Sequence, residues 1–596
     1  MSHDERNDEL VIRRPEAEDG AALWELVEDI GVLDLNSPYA YLLVARHLAA
    51  TSAVAEMRNK LVGFVSGYRP PIHDDVLFVW QVGVHPDARG LGLARRMILD
   101  ILDREEARGV RWIESTVTTD NIPSQRLFRS LARHLDTEIA VSPYFSRDLF
   151  PDERPGTSEE LHRIGPIDRR AERDEARGVD SAAFKRLESV VRTECRSFPT
   201  VFDAAEGHVL TDERGRDYLD FTCGGGVTSY GHNEPRLRSA LIEHLERGAI
   251  NHGQDLYTTV KRRFLERVHQ VLLEPRGLDY RIMFPGPSSS GAVEAAVKLA
   301  RKVTRRDKAV AFTHAYHGPT HGALELSADR MMRRGAGVPL EHVERMPYCG
   351  YHGADVDTAD ILRRSLADVR SGFDKPAAIV VETVQAEGGV HVASDSWLQK
   401  IEALAREFDV LLIVDESQTG CGRTGPFFGF EHAGIEPDMV VLSNALSGYG
   451  LPLSVVLARP EHDVWIPGEH VDPFRGLNAA MVTATASLDF FWADQGLSDD
   501  VTRKGAHVRA RLEAMAESTS LDARVRGRGL LWGLDLGVGT RAREVSRECF
   551  ERGLLVETCG SEQRVLKVMP PLTIDDGALD RGLDLLAEAL EAVTGR

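Results

Sequence analysis

Asp438-Met-Val-Val-Leu-Ser-Asn-Ala-Leu-Ser-Gly-Tyr-Gly-Leu-Pro452 is a short apolar run that ends in a polar, glycine-rich turn. A short apolar run bounded by turn residues is typical of a fully buried strand. Similar runs recur between helical stretches along the second half of the chain, which predicts an α/β fold with a parallel sheet covered on both faces. The predicted strands are Arg281–Phe284, Ala309–Thr313, Ala377–Glu382, Val410–Asp415 and Met439–Ser443.

The first half also alternates strands and helices, and this pattern predicts a separate α/β domain. A charged stretch that is rich in Gly and Pro, from Pro151 to about Asp180, divides the halves and is typical of a solvated linker. We predict domains at residues 1–166 and 182–596, joined by a linker at 167–181. The predicted elements of the first half are strands Leu10–Arg14, Ala53–Met57, Lys60–Tyr68, Val76–Val84 and Arg111–Val117, and helices Glu18–Gly31, Leu91–Arg108 and Pro123–His134.

The composition argues against several classes of function. The net charge of −21 argues against nucleic acid or an anionic membrane as a main partner. Six cysteines are scattered without a Cys/His cluster, which indicates a reducing cytoplasm and predicts no metal site. No apolar run approaches the roughly 18 residues of a membrane helix. The polar N-terminal stretch is unlike a signal peptide.

The segment Gln81-Val-Gly-Val-His-Pro-Asp-Ala-Arg-Gly-Leu-Gly-Leu-Ala-Arg-Arg96 follows a long predicted strand and opens a helix. Small residues in such a turn let the backbone approach a ligand, and the helix N-terminus attracts phosphate. An ordinary turn fits the isolated pattern equally well. The candidate residues for binding an anion are Arg89, Gly90, Gly92 and Ala94.

Together with Thr119-Asp-Asn-Ile-Pro-Ser-Gln-Arg-Leu-Phe128, this turn resembles the motifs of the GNAT acetyltransferases. The resemblance implies acetyl-CoA as cosubstrate, Asn121 near the CoA arm, and direct acetyl transfer to an amine. Backbone N–H groups near Val82 and Val84 would polarise the thioester carbonyl. Glu114, on the next strand, is a candidate base and equally a candidate structural hydrogen-bond partner.

Three further stretches narrow this resemblance: Leu33-Asp-Leu-Asn-Ser-Pro-Tyr39, Leu61-Val-Gly-Phe-Val-Ser-Gly-Tyr68 and Leu77-Phe-Val-Trp-Gln-Val82. They are similar to the L-2,4-diaminobutyrate acetyltransferases of the ectoine pathway. That acceptor carries two amines and a carboxylate, which require carboxylates and polar groups as partners. We predict Asp34, Asn36 and Trp80 as substrate residues. Turn chemistry for the first two, and core packing for Trp80, are the alternatives.

Polar side chains follow the predicted strands of the second half, where ligands bind in open α/β sheets. Ser289 and Ser290 open a helix after a small-residue turn and offer donors to a phosphate. Tyr316 offers a ring for stacking, and Asp415 offers a carboxylate for a protonated ring nitrogen. The other candidates at this edge are His317, Glu382, Glu387 and Gln418.

In this order the pieces resemble the class-III aminotransferases of fold type I, over nearly all of Phe184–Arg596. Within that family they are most similar to the diaminobutyrate–2-oxoglutarate aminotransferases, partly through Gln418-Thr-Gly-Cys-Gly-Arg-Thr-Gly425 and Gly448-Tyr-Gly-Leu-Pro452. The resemblance implies a large, mostly parallel sheet domain with a small α/β domain. It also implies pyridoxal 5′-phosphate as cofactor and a homodimer with its sites at the interface.

One position departs from this family's pattern in a way that bears on the chemistry. Asn444 stands where the family has the lysine that binds the cofactor as a Schiff base, and Lys400 and Lys504 enclose a stretch without lysine. Asparagine can neither form that bond nor shuttle the proton. The other departures are Pro473 for a threonine that reaches the neighbouring subunit's cofactor phosphate, Ser289 for a glycine, and Ser417 for a β-branched apolar residue.

Three hypotheses follow for a chain that acts on small amino acids. The chain is a two-step fusion enzyme with both activities, or it is an acetyltransferase joined to a binding or dimerisation scaffold. In the third hypothesis, the second half uses pyridoxal phosphate without a lysine, on an amine that forms its own imine. We expect acetyltransferase activity, with impaired or absent transamination.

Overall fold

The computed structural model describes residues 10–57, 60–71, 73, 75–102, 104–107, 109–135, 137–149, 158–167, 181–189, 191–519 and 521–595. The chain divides into two compact units, Met1–Arg177 and Gly178–Arg596. Residues 168–180, which make up most of the predicted linker, lie outside the described residues. No helix in the described ranges is both long enough and apolar enough to span a membrane.

A single seven-stranded sheet forms the centre of the smaller unit. Its strands are β1 Leu10–Arg13, β2 Ala53–Met57, β3 Lys60–Tyr68, β4 Val76–Val84, β5 Trp112–Thr118, β6 Ile139–Phe145 and β7 Glu159–Ile164. They lie in the order β1-β2-β3-β4-β5-β7-β6. Only β4 and β5 are parallel, whereas the other neighbouring pairs are antiparallel.

Four helices cover both faces of this sheet. Successive strand residues face opposite sides, which separates two cores. Val65 packs in a cluster with Met97 of the third helix, whereas Phe64 packs in a cluster with Val27 of the first. The helices are α1 Gly20–Ile30, α2 Pro38–His47, α3 Leu93–Leu102 and α4 Ile122–His134.

The larger unit contains one large sheet and smaller ones. Its strands are β8 Phe202–Glu206, β9 Val209–Asp212, β10 Asp217–Asp220, β11 Arg281–Met283, β12 Ala309–Phe312, β13 Val343–Met346, β14 Ala378–Val381, β15 Val384–Gln385, β16 His391–Val392, β17 Leu411–Asp415, β18 Met439–Leu442, β19 Val455–Ala458, β20 Arg524–Arg528, β21 Leu531–Asp535, β22 Leu554–Leu555, β23 Glu557–Cys559 and β24 Val565–Val568.

The helices of the larger unit flank these sheets. They are α5 Ala182–Leu187, α6 Glu194–Ser197, α7 Cys223–Gly226, α8 Pro235–Glu246, α9 Thr259–Arg267, α10 Ser289–Thr304, α11 His321–Leu326, α12 Arg330–Arg334, α13 Thr358–Ala367, α14 Asp395–Glu407, α15 Asn478–Phe491, α16 Gly496–Ser518, α17 Gly539–Glu551 and α18 Asp576–Thr594.

The large sheet has the strand order β11-β19-β18-β17-β14-β12-β13. The strands from β18 to β13 are mutually parallel, whereas β19 runs antiparallel to β18 and β11. Every residue of β12, β14, β17 and β18 is buried, as a sheet with both faces covered requires. Two four-stranded sheets, β22-β10-β9-β8 and β20-β21-β24-β23, and the two-stranded sheet β15-β16 complete the unit. The predicted mostly parallel α/β architecture is confirmed.

Two local predictions need correction. The helix predicted over Leu91–Arg108 spans only Leu93–Leu102. It begins at Leu93 because Gly92 has a φ of +68°, which is not helical. Helix α2 was not predicted at all. Its start follows local chemistry, since Ser37 is extended and Pro38 occupies the first turn.

A pair of leucines on α8 tests the core of the larger unit. Leu237 is fully buried, whereas Leu245 on the same helix is 54% exposed. We expect Leu237→Ala to lower the free energy of unfolding by about 2–5 kcal/mol and Leu245→Ala to change it little. Denaturant unfolding of the full chain measures both variants. Equal losses would contradict this packing.

Candidate active sites

Strands β4 and β5 separate part-way along the smaller unit's sheet. They pair only from Val76 to Phe78 on β4, although β4 continues to Val84. His85 donates its N–H to Val62 O at 2.8 Å. Because N–H groups alternate in direction along a strand, those of Val82 and Val84 point away from β3. No described strand pairs with them, which leaves two donors free to hold a developing negative charge.

The predicted anion-binding turn lies between β4 and α3. Gly90 and Gly92 have φ values of +85° and +68°, and a Cβ added at either glycine would meet no atom within 4 Å. Helix α3 begins directly afterwards, with Ala94 in its first turn, so its N-terminal N–H groups face an open cradle. The N–H of Arg89 is already used, since it donates to Pro86 O at 3.2 Å.

Asn121 has a clear structural role. It is the N-cap of α4, and its Oδ1 accepts a hydrogen bond from the Ser124 N–H at 3.1 Å. Such a cap satisfies one of the free donors at a helix start. A position near the CoA arm stays a prediction for this residue.

One ladder of side chains crosses four strands of the smaller unit. Tyr68 pairs with Phe78, Phe78 with Glu114, and Glu114 with Arg163, so these residues share a face. Glu114 Oε1 lies 3.3 Å from Arg163 Nε, and the Glu114 side chain is 13% exposed. Burial raises the pKa of Tyr68, with smaller contributions from Tyr144 and Glu114. The face therefore gathers ionisable groups.

The predicted substrate residues border this face. Trp80 is two residues beyond Phe78 on β4 and is 43% exposed, so it lies outside the core. Asp34 and Asn36 lie in the loop before α2, which Gln81 holds through a hydrogen bond of 2.9 Å from its Nε2 to Asp34 O. The Asn36 N–H donates to the Tyr41 hydroxyl at 3.3 Å. Within the described ranges, neither the Asp34 nor the Asn36 side chain makes a hydrogen bond.

In the larger unit, the carboxyl ends of three parallel strands bring together a buried cluster. His317 Nδ1 lies 2.7 Å from Asp415 Oδ2, and the ionised carboxylate accepts a hydrogen bond from the Nδ1–H. The N–H and Oγ–H of Ser417 donate to Asp415 Oδ1 at 3.0 and 2.6 Å. The Tyr316 N–H donates to Glu382 Oε2 at 3.2 Å. Burial, reinforced by the charge of Asp415, raises the pKa of Glu382 well above its usual range.

A second, partly buried cluster lies beside the first. Glu387 accepts hydrogen bonds from Lys567 Nζ at 2.5 Å and from Gln418 Nε2 at 3.0 Å. Lys567 Nζ also lies 3.2 Å from Glu557 Oε2, and the lysine side chain is 2% exposed. Burial alone would lower the pKa of Lys567, but the two carboxylates outweigh burial and raise it. Burial and the charge of Glu387 raise the pKa of Tyr316, which connects the two clusters.

Sequence reasoning missed Lys567 and Glu557. The available signal was one lysine inside the apolar strand β24, directly before Met569-Pro570-Pro571. Its partner Glu387 is 180 residues away in sequence, and a single sequence gives no information on such a pair. Within the described residues, no group of three or more His, Cys, Asp or Glu side chains is arranged to hold a metal ion.

The helix at the predicted phosphate site is capped by Ser288, one residue before the two serines that were predicted to bind the phosphate. Ser288 is the N-cap of α10, and its Oγ accepts from the Gly291 N–H at 3.1 Å. Ser289 and Ser290 therefore form the first turn, and no described residue is hydrogen-bonded to their hydroxyls. Ser290 is buried against Gly318, where an added Cβ would lie 1.9 Å from Ser290 Oγ. This contact requires a glycine at position 318.

Asn444 follows β18 at the same sheet edge. Asp415 pairs with Val441 in the sheet, which places Asn444 three residues beyond that pair. Its φ is +48°, a left-handed conformation that asparagine adopts more readily than most residues. The side chain is half-buried, and no hydrogen bond joins it to another described residue.

The buried polar atoms at this edge that have no hydrogen-bond partner among the described residues include His317 Nε2, Gln418 Oε1 and Ser447 Oγ. Because buried polar atoms are normally paired, they indicate a polar ligand. A phosphorylated pyridine fits the donor and acceptor set, with the α10 N-terminus for its phosphate and Asp415 for its ring nitrogen.

The Aminotransferase class-III family model matches residues 190–590. The chain belongs to the class-III aminotransferase family. The Acetyltransferase (GNAT) family model matches residues 21–132, so the smaller unit is a GNAT domain and the chain is a fusion of the two. Class-III aminotransferases imply pyridoxal phosphate as cofactor, and GNAT domains imply acetyl-CoA.

Several proteins similar to this chain are named diaminobutyrate–2-oxoglutarate transaminases. A diaminobutyrate–2-oxoglutarate transaminase of Nocardia farcinica is 50% identical over 417 residues, which are 70% of this chain and 95% of that protein. One from Streptomyces coelicolor is 49% identical over 413 residues, covering 69% of this chain and 98% of the relative. Ornithine aminotransferase from Toxoplasma gondii shares the fold, with a TM-score of 0.60 and 26% identity over 71% of this chain and 98% of that one.

The Lys567 cluster gives a test with a matched control. Lys567→Met removes the cation from Glu387 and Glu557, whose side chains are 31% and 22% exposed, so we expect a loss of about 1–3 kcal/mol in the free energy of unfolding. The double variant Lys567→Met/Glu387→Gln removes one unpaired charge and should recover part of that loss. Denaturant unfolding measures both variants, and an equal loss in the two would show that the ion pair contributes little.

Proposed function

We propose that the smaller unit transfers the acetyl group of acetyl-CoA to the 4-amino group of L-2,4-diaminobutyrate. The observation that carries this proposal is the separation of β4 from β5 beside the Gly90–Gly92 turn. The turn accommodates the pyrophosphate of CoA, and the free N–H groups of Val82 and Val84 hold the thioester oxygen as it becomes negative. The names of the relatives of the larger unit support diaminobutyrate as the acceptor.

The exposed ladder face binds the amino acid in this proposal. Asp34 and Glu114 offer carboxylates to its amines, Asn36 offers an amide to its carboxylate, and Trp80 borders the acceptor. The attacking amine must lose a proton before it bonds to the carbonyl carbon. Glu114, whose carboxylate also pairs with Arg163, takes that proton through a water molecule in this proposal. The CoA thiolate then leaves and is protonated by solvent.

For the larger unit, we infer that transamination is impaired. Pyridoxal phosphate, when bound, supplies an electron sink that labilises bonds at an amino acid Cα. Ser289, Ser290, Tyr316, His317, Glu382, Asp415 and Gln418 would hold it. Asn444 supplies neither an amine for a covalent link nor a base. Ser443 Oγ donates to Leu453 O at 3.4 Å, and Lys567 is paired with two carboxylates, so neither replaces the lost lysine.

A fully bifunctional enzyme is the second candidate. About half of the aligned residues are identical to named diaminobutyrate–2-oxoglutarate transaminases, and a fusion raises the local concentration of an intermediate at the next site. In that case the larger unit makes the diaminobutyrate that the smaller unit acetylates. Failing catalysis, the larger unit serves as a binding or dimerisation scaffold.

We also propose a homodimer through the larger unit. Leu256, Tyr257 and Phe474 are each more than 60% exposed, and a contiguous exposed apolar surface usually marks an interface. Pro473, beside Phe474, provides no hydroxyl and no N–H. It therefore cannot replace a threonine that bonds a neighbouring subunit's cofactor phosphate.

Acetyl transfer is tested by thiol release from acetyl-CoA with L-2,4-diaminobutyrate. We expect release that saturates with this acceptor and is weak with lysine or glutamate. Gly92→Ala and Gly109→Ala form a matched pair, since both glycines have positive φ and open space around an added Cβ. Only Gly92→Ala should raise the KM for acetyl-CoA, by about tenfold for a loss of 1.4 kcal/mol. No release with diaminobutyrate would refute the acceptor assignment.

Transamination is tested by glutamate-dependent amino transfer to aspartate semialdehyde. We expect the natural chain to be slower than Asn444→Lys by about 10²- to 10⁴-fold, the usual effect of a general base. If the lysine variant stays inactive, the departures at Ser289, Ser417 and Pro473 also block catalysis. If both proteins are active at equal rates, Asn444 does not occupy the lysine position.

A further inference from the structure

The amide of Asn444 and the acceptor Oε1 of Gln418 both lack a hydrogen-bond partner among the described residues. Gln418 Nε2 donates to Glu387 at 3.0 Å, which leaves Gln418 Oε1 buried without a partner. The Asn444 amide has no hydrogen bond within the described ranges. Both side chains follow strands that are paired in register. The buried Gln418 oxygen can only accept, and the Asn444 amide can accept as well as donate, so a ligand that carries N–H groups satisfies both.

The two forms of the cofactor differ in the hydrogen-bonding groups that they carry at the reactive carbon. The aldehyde form, pyridoxal phosphate, has only an acceptor at its reactive carbon and normally gains its affinity from a covalent bond to lysine. The amine form, pyridoxamine 5′-phosphate, carries an aminomethyl group with up to three N–H donors. Lys567 is the only lysine that hydrogen bonds connect to this edge among the described residues, and two carboxylates hold it.

We propose that the larger unit binds pyridoxamine 5′-phosphate without a covalent bond and in preference to pyridoxal phosphate. The phosphate lies at the α10 N-terminus, beside the free hydroxyls of Ser289 and Ser290. The ring nitrogen lies at Asp415, whose other contacts are His317 and Ser417. The aminomethyl group donates to Asn444 and Gln418. This proposal rests on the inferred loss of the Schiff-base lysine at position 444.

Unlike a lysine, Asn444 does not compete with the amine of the ligand. In an enzyme with a lysine, the aldehyde form is captured as an imine and the amine form is a passing product. Here no side-chain amine is available for capture, so the amine form becomes the better ligand.

Calorimetric titration of the full chain with each form separately tests the preference. We expect pyridoxamine phosphate to bind at least tenfold more tightly than pyridoxal phosphate and to leave on dialysis. Asn444→Gly accepts the positive φ of +48° without strain but lacks the amide, so the preference should shrink. The wild-type titrations need no variant to fold.

Three results would overturn the proposal. Pyridoxal phosphate could bind as tightly as the amine form, neither form could bind, or Asn444→Gly could leave the preference unchanged. Asn444→Lys separates this failure from that of the proposed function, because it should retain pyridoxal phosphate through dialysis. If it does not, while the wild type still prefers the amine form, position 444 is not the lysine site.

Discussion

The parallel register of β14, β17 and β18 determines where the polar groups of the larger unit lie. Val381 pairs with Val414, and Asp415 pairs with Val441. Glu382 and Asn444 therefore leave the sheet at the same edge as Asp415. Since both faces of these strands are buried, a slip of one residue would turn every side chain to the opposite face. The register of the covered sheet thus decides which side chains meet in the polar cluster.

Much of this arrangement could be predicted from the sequence. Continuous apolar runs predicted β17 and β18, because strands buried on both sides have no polar alternation. Asp415 and Glu382 were found because each follows such a run. Strand β19 was missed, since its short apolar run is preceded only by Ser454, with no feature that distinguishes it from a loop. Lys567 was missed because its meaning depends on Glu387, which is close only in the folded chain.

In the smaller unit, the motif around Gly90 and Gly92 predicted the position of the turn, whereas only the family resemblance implied free N–H groups at Val82 and Val84. The sequence of β4 does not show that β5 leaves it after Phe78; pairing across strands decides that. The conformation of the Asp34 loop could not be predicted from local sequence either, because Gln81 and Tyr41, which lie on other elements, hold it. Local motifs thus predict ligand cradles, whereas contacts between distant residues set the face on which the acceptor would bind.

Chemical trapping tests most directly whether the larger unit has lost its covalent lysine link. The protein is saturated with pyridoxal phosphate, reduced with borohydride and mapped by peptide mass spectrometry. We expect no stoichiometric pyridoxyl group on any lysine of the natural chain, and one at position 444 in the Asn444→Lys variant. A stoichiometric pyridoxyl group on Lys567, or on any other lysine of the natural chain, would contradict the loss of covalent cofactor binding.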